Sequence, residues 1–164
     1  MIVISDTTPI ISLLKAGHLD LLNRLFGEVV IPEAVYMELT GNKSFQAEAK
    51  TVEQCTFIQV ARVRDQKSVN IFRKVTGLDA GESESIVMAE EANADLLLMD
   101  EHKGRRVARQ MGLTITGTIG ILISAYDEGY LSGSDVEICI ERLKEHGIRI
   151  SDALYENVRN HIGK

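Results

Sequence analysis

The chain has 164 residues, 45% of them hydrophobic and 26% charged, with a formal net charge of −6. That length buries a core without disulfide or metal staples, and the composition excludes disordered, fibrous and membrane-spanning classes. The acidic balance argues against a protein that coats nucleic acid non-specifically, but not against an enzyme whose acids form a metal site.

The opening stretch "MIVIS" reads as a short buried strand over residues 2–5, running into Asp6. "TTPIISLLKAG" follows as a helix, capped by a Thr, with Pro9 in its first turn and Gly17 at its end. "HLDLLNRLF" predicts a second, short helix, and "EVVIPEAVYMEL" repeats the opening device of strand, proline and helix. "SFQAEAKTVEQ" is helical and solvated, "TFIQVARV" is a strand, and residues 65–76 carry a helical pattern that Gly77 stops. "DAGESESIVMAEEANA" is a helix with acids crowded into its first turns, "DLLLMDE" an apolar strand ended by acids, and "GRRVARQMG" a helix. "LTIT" is a last strand, and three closing helices follow from "GTIGILISAYDEGYL", "SGSDVEICIERLKEHG" and "ISDALYENVRNHIG". Short continuous apolar strands alternating with helices predict one α/β domain over residues 1–164, with a parallel sheet covered on both faces.

No apolar run approaches the ~18 residues of a membrane span, and no basic stretch precedes an apolar one at the N-terminus; a cytoplasmic protein with no membrane partner is expected. Cys55 and Cys139 lie outside any C-x-x-C spacing and read as reduced, buried thiols.

In an open parallel sheet, ligands bind outside the carboxyl ends of the strands. Asp6 ends the first strand, while Asp100 and Glu101 end the strand "LLLM". Glu38 lies on the helix after the second strand, and Glu82 and Glu84 open the helix that leads to Asp100. Taken singly, each has a simpler reading: a helix cap for Asp6, a solvated residue for Glu38, dipole complements for Glu82 and Glu84, a turn and cap for Asp100 and Glu101. Taken together they offer carboxylates to one rim, where mutual repulsion invites a divalent cation. Hard oxygen donors suit Mg²⁺ or Mn²⁺, ions that activate water and offset charge on a phosphodiester.

"VISDTTPIISLLKAG", "VVIPEAVYMEL", "LDAGESESIVMAEEANADLLLMDEHKGRRVARQMGL" and "GTIGIL", in this order, resemble the PIN-domain superfamily, most closely a prokaryotic branch related to VapC toxins. The resemblance covers roughly residues 1–125, and residues 126–164 add C-terminal helices. It implies a three-layer sandwich with a central four- to five-stranded parallel sheet. It also implies a ribonuclease using Mg²⁺ or Mn²⁺, a homodimer, and a toxin paired with a small antitoxin protein. Residue by residue, Asp6, Glu38, Glu82 and Asp100 match the family's catalytic and metal-binding acids, with Glu101 as an accessory ligand. Glu82, 18 positions before Asp100, is selected over Glu84 at 16. Two departures stand out: Leu98 occupies the position where many members carry a supporting hydroxyl, and the third acid is Glu where Asp is more frequent.

Thr7 and Thr8 are candidates for metal waters or phosphate, with helix capping as the alternative. Lys103 and Arg105 are placed to meet RNA phosphates, with Arg106, Arg109, Lys15, Arg73 and Lys74 as further cations. His18, His102, His146 and His161 show no zinc spacing, and no phosphate-binding or dinucleotide glycine motif occurs. Aromatic residues are 5% of the chain and form no stacking platform, and the stripe Ile119, Leu122, Ile123 and Tyr126 reads as core or dimer interface. The expected function is therefore a metal-dependent ribonuclease, probed against two alternatives. One is a non-catalytic or weakly catalytic RNA-binding regulator. The other is a small-molecule phosphohydrolase, disfavoured because "DTT" stands where a D-x-D nucleophile pattern belongs.

Overall fold

A computed structural model of the chain describes residues 1–163, except the side chain of Phe45; Lys164 lies outside the described residues. Five short strands build one parallel sheet: β1 (Val3–Ser5), β2 (Val29–Pro32), β3 (Ile58–Ala61), β4 (Leu96–Leu98) and β5 (Ile115–Thr116). Their order is β3-β2-β1-β4-β5. The expected three-layer α/β architecture is the one adopted. The helices are α1 (Thr7–Ala16), α2 (Leu21–Phe26), α3 (Glu33–Gly41), α4 (Gln46–Gln54) and α5 (Gln66–Thr76), then α6 (Ala80–Glu91), α7 (His102–Gln110), α8 (Thr118–Asp127), α9 (Gly133–Glu145) and α10 (Asp152–Ile162).

Successive strand side chains point to opposite faces, so each strand feeds two cores. Val3, Val29, Ile31 and Leu98 pack on one face against Ile10 and Leu13 of α1, Leu122 of α8 and Ile140 of α9. Ile4, Leu97 and Met99 pack on the other against Val69 of α5, Ile86 of α6 and Ala108 of α7. Each such aliphatic side chain contributes roughly 1.5–3 kcal/mol by leaving water, which is why short strands with no polar alternation are stable in the middle of the sandwich. Cys139 is buried as expected, Cys55 only half-buried, and both are free thiols.

The strand order places a topological switch beside β1. From β1 the chain builds outward through β2 and β3, then returns to add β4 and β5 on the other side. Ser5 pairs with Leu98, and the Asp6 N–H donates to the Leu98 carbonyl at 2.9 Å. The ends of β1 and β4 therefore lie side by side, and the helices leaving them diverge to open a crevice there. Among the described residues, no helix is long and apolar enough to cross a membrane.

One local expectation changes. Asp6, not a threonine, occupies the N-cap position of α1, with extended backbone and no side-chain cap bond. Thr7 is the first helical residue, and its hydroxyl is engaged across the crevice instead. Gly17 does end α1, at φ 79°, a left-handed conformation that costs a residue without Cβ nothing.

Candidate active site at the carboxyl ends of β1 and β4

Asp6 is held by the end of β1 and is 4% exposed. Burial pushes its carboxyl up to about 7; the Thr7 N–H opposes this, and the charges of Glu82, Asp79 and Glu38 add to it. Those three acids therefore face Asp6 closely enough to be felt, which is the convergence expected for Asp6, Glu38 and Glu82.

Glu38 stands in the second turn of α3 and is exposed as a whole, but its carboxylate is pinned. It accepts from the Thr7 hydroxyl at 2.8 Å and from the Gly81 N–H in the first turn of α6. A Cβ on Gly81 would lie 2.5 Å from Glu38 Oε1, so only glycine lets the carboxylate reach the start of that helix. Desolvation raises the Glu38 carboxyl and Asp79 raises it further, against the lowering effect of the Thr7 and Gly81 donors.

Glu82 is the third residue of α6 and half of a capping box. Asp79 accepts from the Glu82 N–H at 2.8 Å, and Glu82 accepts from the Asp79 N–H at 3.1 Å. Burial raises the Glu82 carboxyl, as do the charges of Asp79 and Glu101. Glu84 faces elsewhere: its carboxylate accepts from Ala34 N–H at 3.3 Å, in the first turn of α3. Glu84 thus complements the start of α3 rather than that of its own helix.

Asp100 follows β4 and is half-buried. It accepts from the Thr118 N–H at 2.7 Å and from the Thr118 hydroxyl at 2.6 Å, both at the start of α8. The hydroxyl missing at Leu98, which is fully buried in the core, is supplied from α8 instead. Gly117 makes this possible: a Cβ there would lie 2.6 Å from Asp100 Oδ1 and 2.8 Å from Arg105 Nη1. Glu101 is exposed at the N-cap of α7, without a side-chain cap bond, and reaches the site through its charge on Glu82.

The cations divide. Half-buried Arg105 donates from Nη1 to the Met99 carbonyl at 3.0 Å, and both burial and Arg109 pull its guanidinium below its ordinary value. That fixes one edge of the fork beside Asp100 and leaves further N–H donors. Lys103 is exposed, and its Nζ lies 3.0 Å from where a Gly77 Cβ would stand, two residues before Asp79. Thr7 gives its hydroxyl proton to Glu38 and is buried, whereas Thr8 is exposed on the next position of α1.

Two participants escape a reading of the sequence. Asp79 sits inside a visible D-x-x-E signature, "DAGE", yet its weight comes from touching the surroundings of three other acids. Thr118 is 18 positions from its partner Asp100, and no local pattern announces the bond.

The donor set fits a hard divalent cation in kind: carboxylates from the end of β1, α3, α6 and the end of β4, three of them with protonation favoured by burial and by neighbouring acids. Among the described residues, no three His, Cys, Asp or Glu side chains are already gathered around one point as ion ligands. Glu38, Glu82 and Asp100 are each turned to a hydrogen-bond donor of the protein.

No curated protein matches the chain. A family model described as a PIN domain matches residues 2–164, which takes in every strand, the four acids and the closing helices. With its parallel sheet and with acids at the carboxyl ends of β1 and β4, the chain belongs to the PIN-domain family.

Proposed function

We propose that the protein is a Mg²⁺- or Mn²⁺-dependent endoribonuclease whose catalytic and metal-binding acids are Asp6, Glu38, Glu82 and Asp100, with Glu101 beside them. PIN domains are in general nucleases. The observation that carries the reading is Asp6: a carboxyl group only 4% exposed, raised by burial and further by its acidic neighbours, and stationed at the switch point of the sheet. Its carboxyl group feels three further acids, and buried carboxyls perturbed in this way mark functional sites.

A bound divalent ion would relieve the repulsion among these carboxylates and act as a Lewis acid toward a phosphodiester. The chain's own residues supply the rest. Thr7 and Gly81 orient Glu38, Asp79 orients Glu82, and Thr118 orients Asp100. Arg105 and Lys103 flank the acids and offer N–H donors to the phosphates on either side of the reacting one. RNA as the substrate, a homodimer, a cytoplasmic location and pairing with a small antitoxin protein extend the VapC-like resemblance and belong to the same proposal.

The test is cleavage of a panel of single-stranded and structured RNAs in Mn²⁺ or Mg²⁺, beside Asp6→Asn and Asp100→Asn. Wild-type cleavage that EDTA abolishes, and that each variant lowers by about 10²-fold or more, is expected. Equal cleavage by wild type and both variants would overturn the site.

A further inference from the structure

A cavity of about 670 Å³ adjoins the candidate site and is not needed to hold the four acids. Asp100 and Arg105 reach it from the sheet end, Ile119 and Ile123 from α8, Leu154 from α10, and Arg149 from the loop before α10. The stripe read as core or interface is therefore split. Leu122 is fully buried, whereas Ile119 and Ile123 are only half-buried and line open space.

The volume falls within the range of sites that enclose a small organic molecule and far exceeds what a metal ion or a phosphate fills. Its charge is unlike that of the chain. In a protein of net charge −6, this wall carries, among the described residues, two arginines and one carboxylate, Asp100. A ligand with an anionic part near Arg105 and Arg149 and a flat, poorly hydrated part among isoleucines satisfies both ends. Asn157, also on the wall, presents an amide donor and acceptor able to bond the edge of a heterocycle. An unpaired nucleotide combines these properties; a duplex does not, because its bases are stacked inside it.

We propose that this cavity receives the unpaired nucleotide next to the bond that is cleaved, with the base among Ile119, Ile123 and Leu154 and the phosphate toward Arg105 and Arg149. The assignment rests on the nucleic-acid reading above and deepens it. It makes Asn157, Arg149 and the α8 isoleucines the residues that set nucleotide preference. No aromatic ring is required, since the aliphatic side chains of Ile119, Ile123 and Leu154 cover the poorly hydrated base faces.

Calorimetric titration of the full chain with AMP, GMP, CMP, UMP and inorganic phosphate, each in EDTA, tests this without turnover or metal. At least one nucleotide should bind about tenfold or more tightly than phosphate. Ile123→Trp, which fills the cavity, should remove that advantage by about tenfold while phosphate affinity is unchanged. Since a tryptophan can disturb folding, Arg149→Ala at an exposed position serves as a second variant and should weaken every nucleotide several-fold. Nucleotides that bind no better than phosphate would overturn the assignment, as would folded variants that bind like wild type. So would a cavity covered by a second copy of the chain at the protein concentrations used. Nucleotide binding by a protein that cleaves no RNA would contradict the nuclease reading and support the cavity. Cleavage without nucleotide binding would do the reverse.

Discussion

Asp6 ends a buried strand and presents its carboxyl group to three other acids, Glu82, Asp79 and Glu38. The folded state raises that carboxyl from 3.8 to about 7, so between these values the native protein binds a proton that the unfolded chain has released. The contribution of Asp6 to stability is therefore fully present below the unfolded value and is lost as pH rises through about 7. The raised Glu38 and Glu82 carboxyls act in the same direction. Asp6→Asn removes the largest of these contributions. Thermal unfolding should show a melting temperature several degrees above wild type at about pH 8 and nearly equal to it at about pH 4. A pH-independent difference between the two proteins would count against the buried, repelled carboxylate. The residue was visible in the sequence as an acid after an apolar strand, with a cap as its simpler reading. What decides against the cap is its missing cap bond, together with a Thr7 hydroxyl that crosses to Glu38.

At the scale of elements, α6 connects the site to the fold. Its first turn donates the Gly81 N–H to Glu38, aims Glu82, and is closed by Asp79. The helix itself was legible in "DAGESESIVMAEE", since apolar period and acid placement are local properties, whereas the capping box of Asp79 and Glu82 emerged only in the structure. The strands were legible as well, because fully buried strands of a parallel sheet are continuous apolar runs. Contacts made by distant residues were not. Thr118 standing in for a hydroxyl at Leu98, and Gly81 and Gly117 making room for Glu38 and Asp100, depend on how helices pack after the sheet forms. The double duty of Asp79 separates experimentally into cap and charge. Asp79→Ala should cost about 1 kcal/mol, whereas Asp79→Asn, which keeps a capping oxygen, should cost only a few tenths. Chemical denaturation of both variants measures this, and equal losses would mean that the cap is not what Asp79 contributes.

Across the whole molecule, the strand order brings Asp6 and Asp100 to neighbouring strand ends although 94 positions separate them in the chain. Helices α3, α6 and α8 then bring Glu38, Glu82 and Thr118 to the same edge. The two cores lie beneath that edge, and the cavity between α8 and α10 extends it toward the C-terminal helices. The central claim is that these acids act as one cation site. Calorimetric titration of Mn²⁺ into the wild-type protein at about pH 7.5 tests it most directly, with Asp6→Asn in parallel. The account predicts saturable binding accompanied by proton release, because carboxyls held partly protonated must ionise to become ligands, and a loss of affinity of about tenfold or more in the variant. Absence of saturable Mn²⁺ binding, or equal affinity in wild type and Asp6→Asn, would contradict it.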